Sequence, residues 1–561
     1  MIIDPGLSSV YDTVTGRSTV GDQLRRHARN QPDHLAIAYY DKAGECVLRL
    51  SYADLDARVN RTARSLRERG IRRGDVVGIM SANSPDYVVM YLAAAKLGAV
   101  TTGINFNFQE SEIIYQIQHA APVALLVDHR FLGRIDAIRD SLPSVRLYLS
   151  STSPDGPQTP GTPSGDWSPA AEFYAEEVGA EEPESEVQER DPLFLIYTSG
   201  TEALPKAVII PHRNYAIGTA PAWAMGAQCE NDALTGGIVR THDRWLHLTP
   251  LHTIAGLGNL TIVLTVGASV IMPSSVEAAL CIGIIERERV TAMVQTPTFF
   301  LSAVRNDRFA DADLSSVERL LTYGATMPQV MIEGWNSKSP RLMWATYWGQ
   351  SELTQLGTTG WFRTLDDIPG RDISWIGRPV GALEVILVGE DGEQVGVDEA
   401  GEAWCRSPSV MLGYYRNPER TSETFAHGWL HTGDIMRRDA EGNLFFLDRR
   451  KDVIKTGGYN VSSQEVEKVI YGYPGIAQVA VVGLPHEYWS EAVTAFVVPG
   501  AGHTLTEKEL ITFCRDRMVA YKVPKAIRLV ETLPVDGQGK ILKRELRRLH
   551  ADLFAGHSAV S

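Results

Sequence analysis

The chain has 561 residues, of which 44% are hydrophobic and 22% charged, and a formal net charge of −14. That composition is ordinary for a globular protein, and the length exceeds what one hydrophobic core usually supports, so two or more domains are expected. The acidic balance argues against a general nucleic-acid binder, which shows a basic face, yet it leaves room for a local basic patch that holds an anionic ligand.

Residues 51–70 place Leu55, Val59, Ala63 and Leu66 at helical spacing behind Ser51, a suitable N-cap. Residues 76–80 (Val-Val-Gly-Ile-Met) read as a buried strand, 84–98 as a helix and Val123–Val127 as another strand. Strands alternating with helices predict an α/β domain with largely parallel sheets. Residues 151–190 open with Ser-Thr-Ser-Pro-Asp-Gly-Pro and close in a Glu-rich run, and they read as a surface loop or linker. Pro192–Tyr197 is a short apolar strand. Further on, the charged run at 448–452 and the glycine doublet at 457–458 precede a compact pattern: a helix near 462–472, strands near 477–483 and 493–499, and a helix near 506–518. A C-terminal domain is therefore expected to begin at about residue 449.

The five cysteines (Cys46, Cys229, Cys281, Cys405, Cys514) form no close pair suited to zinc or dithiol chemistry and read as thiols of a reducing cytoplasm. The N-terminus lacks the basic and apolar regions of a signal peptide, and the apolar stretch near 259–272 is too short and too Gly-broken for a membrane span. A cytoplasmic location is expected.

Residues 197–206 read Tyr-Thr-Ser-Gly-Thr-Glu-Ala-Leu-Pro-Lys. Hydroxyl residues around a glycine, closed by Pro-Lys, suit a phosphate-cradling loop. The glycine lets the backbone approach an anion, hydroxyls and N–H groups donate hydrogen bonds, and the lysine supplies a point charge. The order is not that of a Walker A loop. It resembles the signature of the adenylate-forming superfamily, and further matches follow in that family's order. They are Tyr-Gly-Ala-Thr at 323–326, Trp-Gly-Gln-Ser-Glu at 348–352, Gly-Glu-Ala-Trp-Cys-Arg at 401–406 and Met-Leu-Gly-Tyr-Tyr at 411–415. Next come His-Thr-Gly-Asp at 431–434, Asp-Arg-Arg-Lys-Asp at 448–452, Gly-Gly-Tyr-Asn-Val at 457–461 and Gly-Gln-Gly-Lys at 537–540. The resemblance runs from about residue 50 to 547 and points to the AMP-forming acyl-CoA synthetase branch.

The resemblance implies a fold and a set of roles. The fold is a large N-terminal multi-sheet α/β domain (residues 1–448) that binds adenylate and acyl group, and a smaller mobile α+β domain (449–561) that carries Lys540, with the active site between them. Thr198, Ser199, Gly200, Thr201, Glu202 and Lys206 would form the phosphate loop. Gly324 and Ala325 would pack on adenine, and Trp348 stands where the family usually has Tyr, followed by Gly349 and Ser351 at the nucleotide. Asp434 and Arg449 would hold the ribose. Glu352 and Thr198 would bind Mg2+, a hard cation that wants oxygen ligands and bridges phosphates. Lys540 would be the adenylation lysine, its ammonium offsetting charge between carboxylate and α-phosphate. Lys451 would be the hinge, Gly457 and Gly458 the passage for the CoA pantetheine, and His252 a residue flanking the acyl carboxylate. ATP (as AMP in the acyl-adenylate), Mg2+ and coenzyme A are the ligands implied, with a small carboxylic acid as substrate.

The loop departs from the family's common form at three positions, where Glu202, Ala203 and Ala207 replace Thr, Gly and Gly. Added Cβ atoms restrict the backbone. A carboxylate about 4 Å from a phosphate charge costs on the order of 1 kcal/mol in water and about 4 kcal/mol at an effective dielectric of 20. The larger cost is roughly a thousandfold in rate. The expectation is an acyl-CoA ligase with weakened adenylation and retained thioesterification. The alternatives are a stand-alone adenylating enzyme that loads a carrier-protein thiol and a non-catalytic adenylate-binding relative. A preformed acyl-adenylate as substrate would call for a partner adenylating enzyme; the acid and the oligomeric state are not readable.

Overall fold

The computed structural model describes residues 17–151, 166–198, 205–225, 237–322, 327–500, 502–535 and 541–555, without the Met225 side chain. They fold as two compact units. The first comprises the residues up to Arg371 with Gly377–Glu384 and Arg406–Glu423; the second comprises Asp372–Ile376, Val385–Cys405 and the residues from Thr424 onward.

The first unit holds two sheets. In one, the strands run in the order Gly413–Tyr414, Lys206–Pro211, Pro192–Thr198, Val100–Gly103, Val76–Met80, Ala124–Asp128, Leu147–Ser151 and Trp167–Pro169. Its inner strands are parallel, and parallel neighbours need helical crossovers. The helix Tyr52–Glu68 starts at Ser51, whose hydroxyl accepts from the Asp54 N–H while the Asp54 side chain accepts from the Ser51 N–H, and its buried face includes Leu55, Val59, Ala63 and Leu66. The helix Pro85–Leu97 is buried on every side, which matches a sequence that between Asp86 and Lys96 is apolar or aromatic all round. The other sheet runs Gly357–Phe362, Met343–Gly349, Arg319–Thr322, Ala292–Gln295, Arg244–Leu246, Ser269–Pro273, Leu35–Tyr40 and Cys46–Ser51.

Residues 166–190 differ from the expected loose loop. They contain the strand Trp167–Pro169 and a buried Phe173, and they are strapped along the helix Tyr52–Glu68. Ser65 Oγ donates to Phe173 O (3.1 Å), Arg61 Nε to Val178 O (3.1 Å) and Asn60 Nδ2 to Ala180 O (3.0 Å). Lys96 Nζ pairs with Glu182 at 2.6 Å. The polar composition supplies partners for a polar helix face instead of marking a linker.

In the second unit, Gly401–Arg406, Trp429–Arg438 and Leu444–Arg449 form an antiparallel set. A separate sheet pairs Ile476–His486 with Ser490–Pro499, adds Ala526–Leu529 in parallel, and carries the hairpin Ile454–Thr456/Tyr459–Val461. Helices Ser463–Tyr471 and Glu507–Arg515 close its core of Ile454, Val466, Ile470, Val481, Val493 and Leu510. The fold is α/β, with a large N-terminal multi-sheet part and a smaller C-terminal α+β part, as expected. Cys281, Cys405 and Cys514 are buried free thiols, Cys46 is half-buried, and Cys229 lies outside the described residues. No described helix is long and apolar enough to cross a membrane.

Candidate active site

Of the phosphate loop, Thr198 and Lys206 are described; Ser199, Gly200, Thr201, Glu202 and Ala203 lie outside the described residues. Thr198 ends one strand and Lys206 begins the next, and the two stand opposite each other in the antiparallel register. Two residues past Lys206, Val208 stands opposite Tyr414 of the edge strand. The Lys206 ammonium lies 5.5 Å from the Tyr414 ring centroid, and the Tyr414 hydroxyl donates to Glu352 Oε1 at 2.8 Å. A threonine hydroxyl, a lysine, a tyrosine and a carboxylate thus share one corner of the first sheet.

Glu352 sits in a short 3₁₀ turn, Ser351–Leu353, whose backbone is pinned by Met411 N–H donating to Glu352 O (2.8 Å). The next two residues, Thr354 (φ 53°) and Gln355 (φ 58°), are left-handed and neither is glycine. Such conformations cost about 1–3 kcal/mol each and persist when neighbours over-determine them. Asn214 Nδ2 donates to Thr354 Oγ1 (2.8 Å), Thr219 Oγ1 to Thr354 O (3.1 Å) and Gln355 Nε2 to Asn259 Oδ1 (3.2 Å). The Tyr347 hydroxyl donates to Gln355 O. Asn214 and Thr219 belong to a π-helical segment, and Asn259 follows a second one, Ile254–Gly258. Such segments are rare and recur at functional sites.

Trp348 is buried on the strand Met343–Gly349, opposite Thr358, and Gly349 stands opposite Gly357, where a Cβ would strike the Trp348 carbonyl. Ser351 is buried. Gly324 and Ala325 lie outside the described residues. Ala207 is 1% exposed and packs with Val76, Val100, Ala120 and Leu195. Its Cβ is therefore core, which departs from the expectation that it crowds the phosphate cradle.

His252 is 6% exposed, its ring edge-on to Phe106 at 5.4 Å, and neither ring nitrogen has a hydrogen-bond partner among the described residues. Burial pushes its pKa down to about 4, so the imidazole is neutral near pH 7. Gly103 leaves it room, since a Cβ there would lie 2.6 Å from the His252 Cα. A neutral ring can donate its one N–H to a carboxylate, which only accepts, without adding charge.

In the second unit, Asp434 and Arg449 stand opposite each other on adjacent antiparallel strands. Asp434 is 0% exposed and its Oδ1 lies 2.9 Å from Arg449 Nε. Lys451 is exposed, just past Arg449, where the N–H groups of Asp452 (2.8 Å) and Val453 (3.1 Å) donate to Arg449 O. Gly457 (φ 57°) and Gly458 (φ 83°) form the two-residue turn of the hairpin Ile454–Thr456/Tyr459–Val461, a turn that needs positive φ at both positions. A Cβ on Gly457 would meet the Trp489 ring at 2.8 Å. Lys540 lies outside the described residues. No cluster of three or more His, Cys, Asp or Glu side chains suited to a metal occurs among the described residues. Thr198 and Glu352 supply oxygen donors alone, which fits a hard cation that arrives on phosphates rather than one held by a protein cage.

Residues 24–415 match the family of AMP-binding enzymes, and residues 465–540 match the AMP-binding enzyme C-terminal domain. The chain belongs to the adenylate-forming superfamily, in its AMP-forming acyl-CoA ligase branch. It is 32% identical to a feruloyl-CoA synthase of an Amycolatopsis species over 93% of this chain and 97% of that one. It is 30% identical to an indoleacetate–CoA ligase of Aromatoleum aromaticum over 95% and 98%. Among solved structures, an anthranilate CoA ligase in complex with anthranoyl-AMP superposes with a TM-score of 0.81 at 25% identity, over 95% of this chain and 97% of that one. This ligase's own sequence singled out Glu352 and Lys206, but it assigned no contact to Tyr414, which joins them. The signal was present, since Tyr414 falls within the motif at 411–415.

Proposed function

We propose that this ligase makes an acyl-CoA in two steps, each served by its own residues. In the first, a carboxylate oxygen attacks the α-phosphorus of ATP, the bond to the β-phosphate oxygen breaks, and pyrophosphate leaves. His252 orients the acid through a hydrogen bond, Lys206 and the loop hydroxyls take the phosphates, and Trp348 stacks on adenine. Asp434 and Arg449 take the ribose hydroxyls, and Lys540 offsets the charge that builds between acid and α-phosphate. Thr198 and Glu352 would hold Mg2+, which when bound supplies charge that lessens phosphate repulsion. In the second step the CoA sulfur attacks the acyl carbonyl, the bond to the phosphate oxygen breaks, AMP leaves, and the thiol proton passes to solvent. The C-terminal domain, from about residue 449, turns about Lys451 between the steps, and the Gly457–Gly458 turn lies along the pantetheine path.

The observation that carries this reading is the corner made by Thr198, Lys206, Tyr414 and Glu352. It unites a cation, hydroxyls and a carboxylate whose described side-chain donor is a neutral hydroxyl, as a magnesium–phosphate ligand requires. Glu202 and Ala203 are read as weakening the first step while leaving the second intact, since only the first develops charge on the β- and γ-phosphates. The location proposed is cytoplasmic.

The test is mass-spectrometric detection of acyl-CoA with a panel of ferulate, indoleacetate, anthranilate and fatty acids. It is run once with ATP plus acid and once with preformed acyl-adenylate. Product in the second arm and little in the first supports the full reading; equal, rapid product in both removes the weakened first step. No product in either arm removes the ligase reading, and transfer to a phosphopantetheinylated carrier but not to CoA replaces the acceptor.

A further inference from the structure

The helix Lys543–Leu549 begins three residues after Lys540. One side of it is apolar: Leu546 is buried with Ala480, Val482, Leu484, Phe496 and Leu533. On another side, Lys543 and Arg547 are four residues apart and so lie on one face. Both reach back to the segment around Lys451. Arg547 NH2 lies 2.7 Å from Asp452 Oδ1, one residue past Lys451. Lys543 Nζ donates to Ser463 Oγ (2.6 Å) and pairs with Glu467 Oε1 (2.8 Å). Ser463 in turn donates to Asp448 Oδ2 through both its N–H (2.6 Å) and its hydroxyl (2.7 Å), three residues before Lys451.

These contacts are built rather than incidental. Ser463 and Asp448 are buried, and Lys543 and Glu467 are mostly so. Burial works against the Asp452 charge, yet the Arg547 hydrogen bond and the charges of Lys543, Arg547 and Lys451 prevail and hold its pKa below the ordinary carboxylate range. The chain on either side of residues 536–540 is also fixed. Val535 bridges Ile541, and Leu542 N–H donates to Pro534 O at 2.8 Å. The two cations thus tie the helix that begins three residues after Lys540 to both sides of Lys451.

We infer that Lys543 and Arg547 are positioning residues for the adenylation step, holding the helix that begins three residues after Lys540 against the Asp448–Asp452 stretch. This rests on the reading of Lys540 as the adenylation lysine. A misplacement of about 1 Å at a reacting group costs about a hundredfold. Loss of an anchor should therefore lower the first step, whereas the second, which does not use Lys540, keeps its rate.

The experiment measures ATP–pyrophosphate exchange and, separately, acyl-CoA formation from preformed acyl-adenylate plus CoA, with the panel acid that gives product. It compares the full-length Arg547→Ala, Lys543→Ala, Asp452→Asn and Lys540→Ala chains. Exchange should fall tenfold or more in kcat with the KM for ATP within twofold, while thioester formation stays within twofold, and Arg547→Lys should recover at least half the loss. Retained thioester formation also reports that each variant is folded. Should the parent exchange too slowly to read, the same series is made in the Glu202→Thr/Ala203→Gly background. If Lys540→Ala shows the split but the anchor variants lose neither step, or lose both equally, this inference alone is overturned. If Lys540→Ala shows no split, the reading of Lys540 fails and this inference falls with it.

Discussion

Glu352 and Asp434 are both carboxylates singled out for the nucleotide, and they meet opposite surroundings. Glu352 lies on a strained turn and, among the described residues, its side chain accepts from one neutral hydroxyl, that of Tyr414. Asp434 is enclosed in a sheet with the Arg449 guanidinium against it. An acid with open lone pairs is poised to attract a cation that arrives with the ligand. An acid already engaged by arginine contributes to the fold first and to binding through the pair. The same residue type therefore predicts different variant phenotypes at the two places.

The sharpest way to break that comparison is Glu352→Gln. It keeps an acceptor for Tyr414 but removes the charge, so ATP-dependent acyl-CoA formation should fall by about 10²–10³-fold, the scale of losing one transition-state electrostatic contact. Urea unfolding should be unchanged, because Glu352 makes no ion pair among the described residues. A stability loss like that of an ion-pair variant would mean that Glu352 is structural. The converse substitution in the loop comes next. Glu202→Thr with Ala203→Gly should raise ATP–pyrophosphate exchange by between about fivefold and a thousandfold, the range set by 1 to 4 kcal/mol of relieved repulsion. No gain would separate the loop's composition from the rate of the first step.

Asp434→Asn tests the other side. It leaves the arginine without its counter-charge, which costs about 3 kcal/mol. That is the low end for a broken buried pair, because the Arg449 side chain is 37% exposed and can turn to water. Stability and nucleotide affinity should both fall. A loss of affinity with unchanged unfolding would place Asp434 in the same class as Glu352.

These contrasts mark where the sequence was readable. The helix Tyr52–Glu68 was legible because Ser51 caps it and Leu55, Val59, Ala63 and Leu66 repeat at helical period, both local signals. The motif order singled out Glu352, Asp434 and Arg449, of which the last two pair across adjacent strands. It did not join Glu352 to Tyr414, 62 residues away, since a tyrosine in an edge strand carries no local mark of its partner. Thr354 and Gln355 gave no sign of left-handed backbone, because neither is Gly or Asn and the cause is tertiary: Asn214, Thr219 and Asn259 hold them. Residues 166–190 read as a loop because their polarity was taken as contact with water, whereas much of it contacts the polar face of a helix.

Buried histidines extend the comparison to groups kept neutral. Burial holds His212, His247 and His252 at about 4, against 6.5 in an unfolded chain. Above pH 6.5 these imidazoles are neutral in both states and stability is unaffected by them. As pH falls from 6.5 towards 4 the unfolded chain binds protons that the folded one refuses, so stability falls, by about 1.4 kcal/mol per pH unit for each ring. Urea unfolding at pH 7 and pH 5 should show His212→Gln losing about 2 kcal/mol less than the parent between the two, or about 1.4 kcal/mol for each of the 1.5 pH units below 6.5. Identical pH dependence would mean that His212 binds its proton in the folded chain as readily as in the unfolded one.

The smallest effect belongs to Ala207, and it separates packing from chemistry within one loop. Ala207 stands opposite Tyr197 in the strand pair, one position from Lys206, and its methyl group packs among Val76, Val100, Ala120 and Leu195. Replacing it with glycine removes that contact and frees the backbone of an interior strand residue, so Ala207→Gly should destabilise by about 0.5–1 kcal/mol. ATP–pyrophosphate exchange should not rise, because no Cβ is removed from the side that phosphate approaches. Glu202→Thr, which removes a negative charge from the proposed phosphate loop, should do the reverse: exchange rises and unfolding is unchanged. If Ala207→Gly instead raises exchange, the methyl group crowds the loop from within the core, and the departures at 202, 203 and 207 act as one unit.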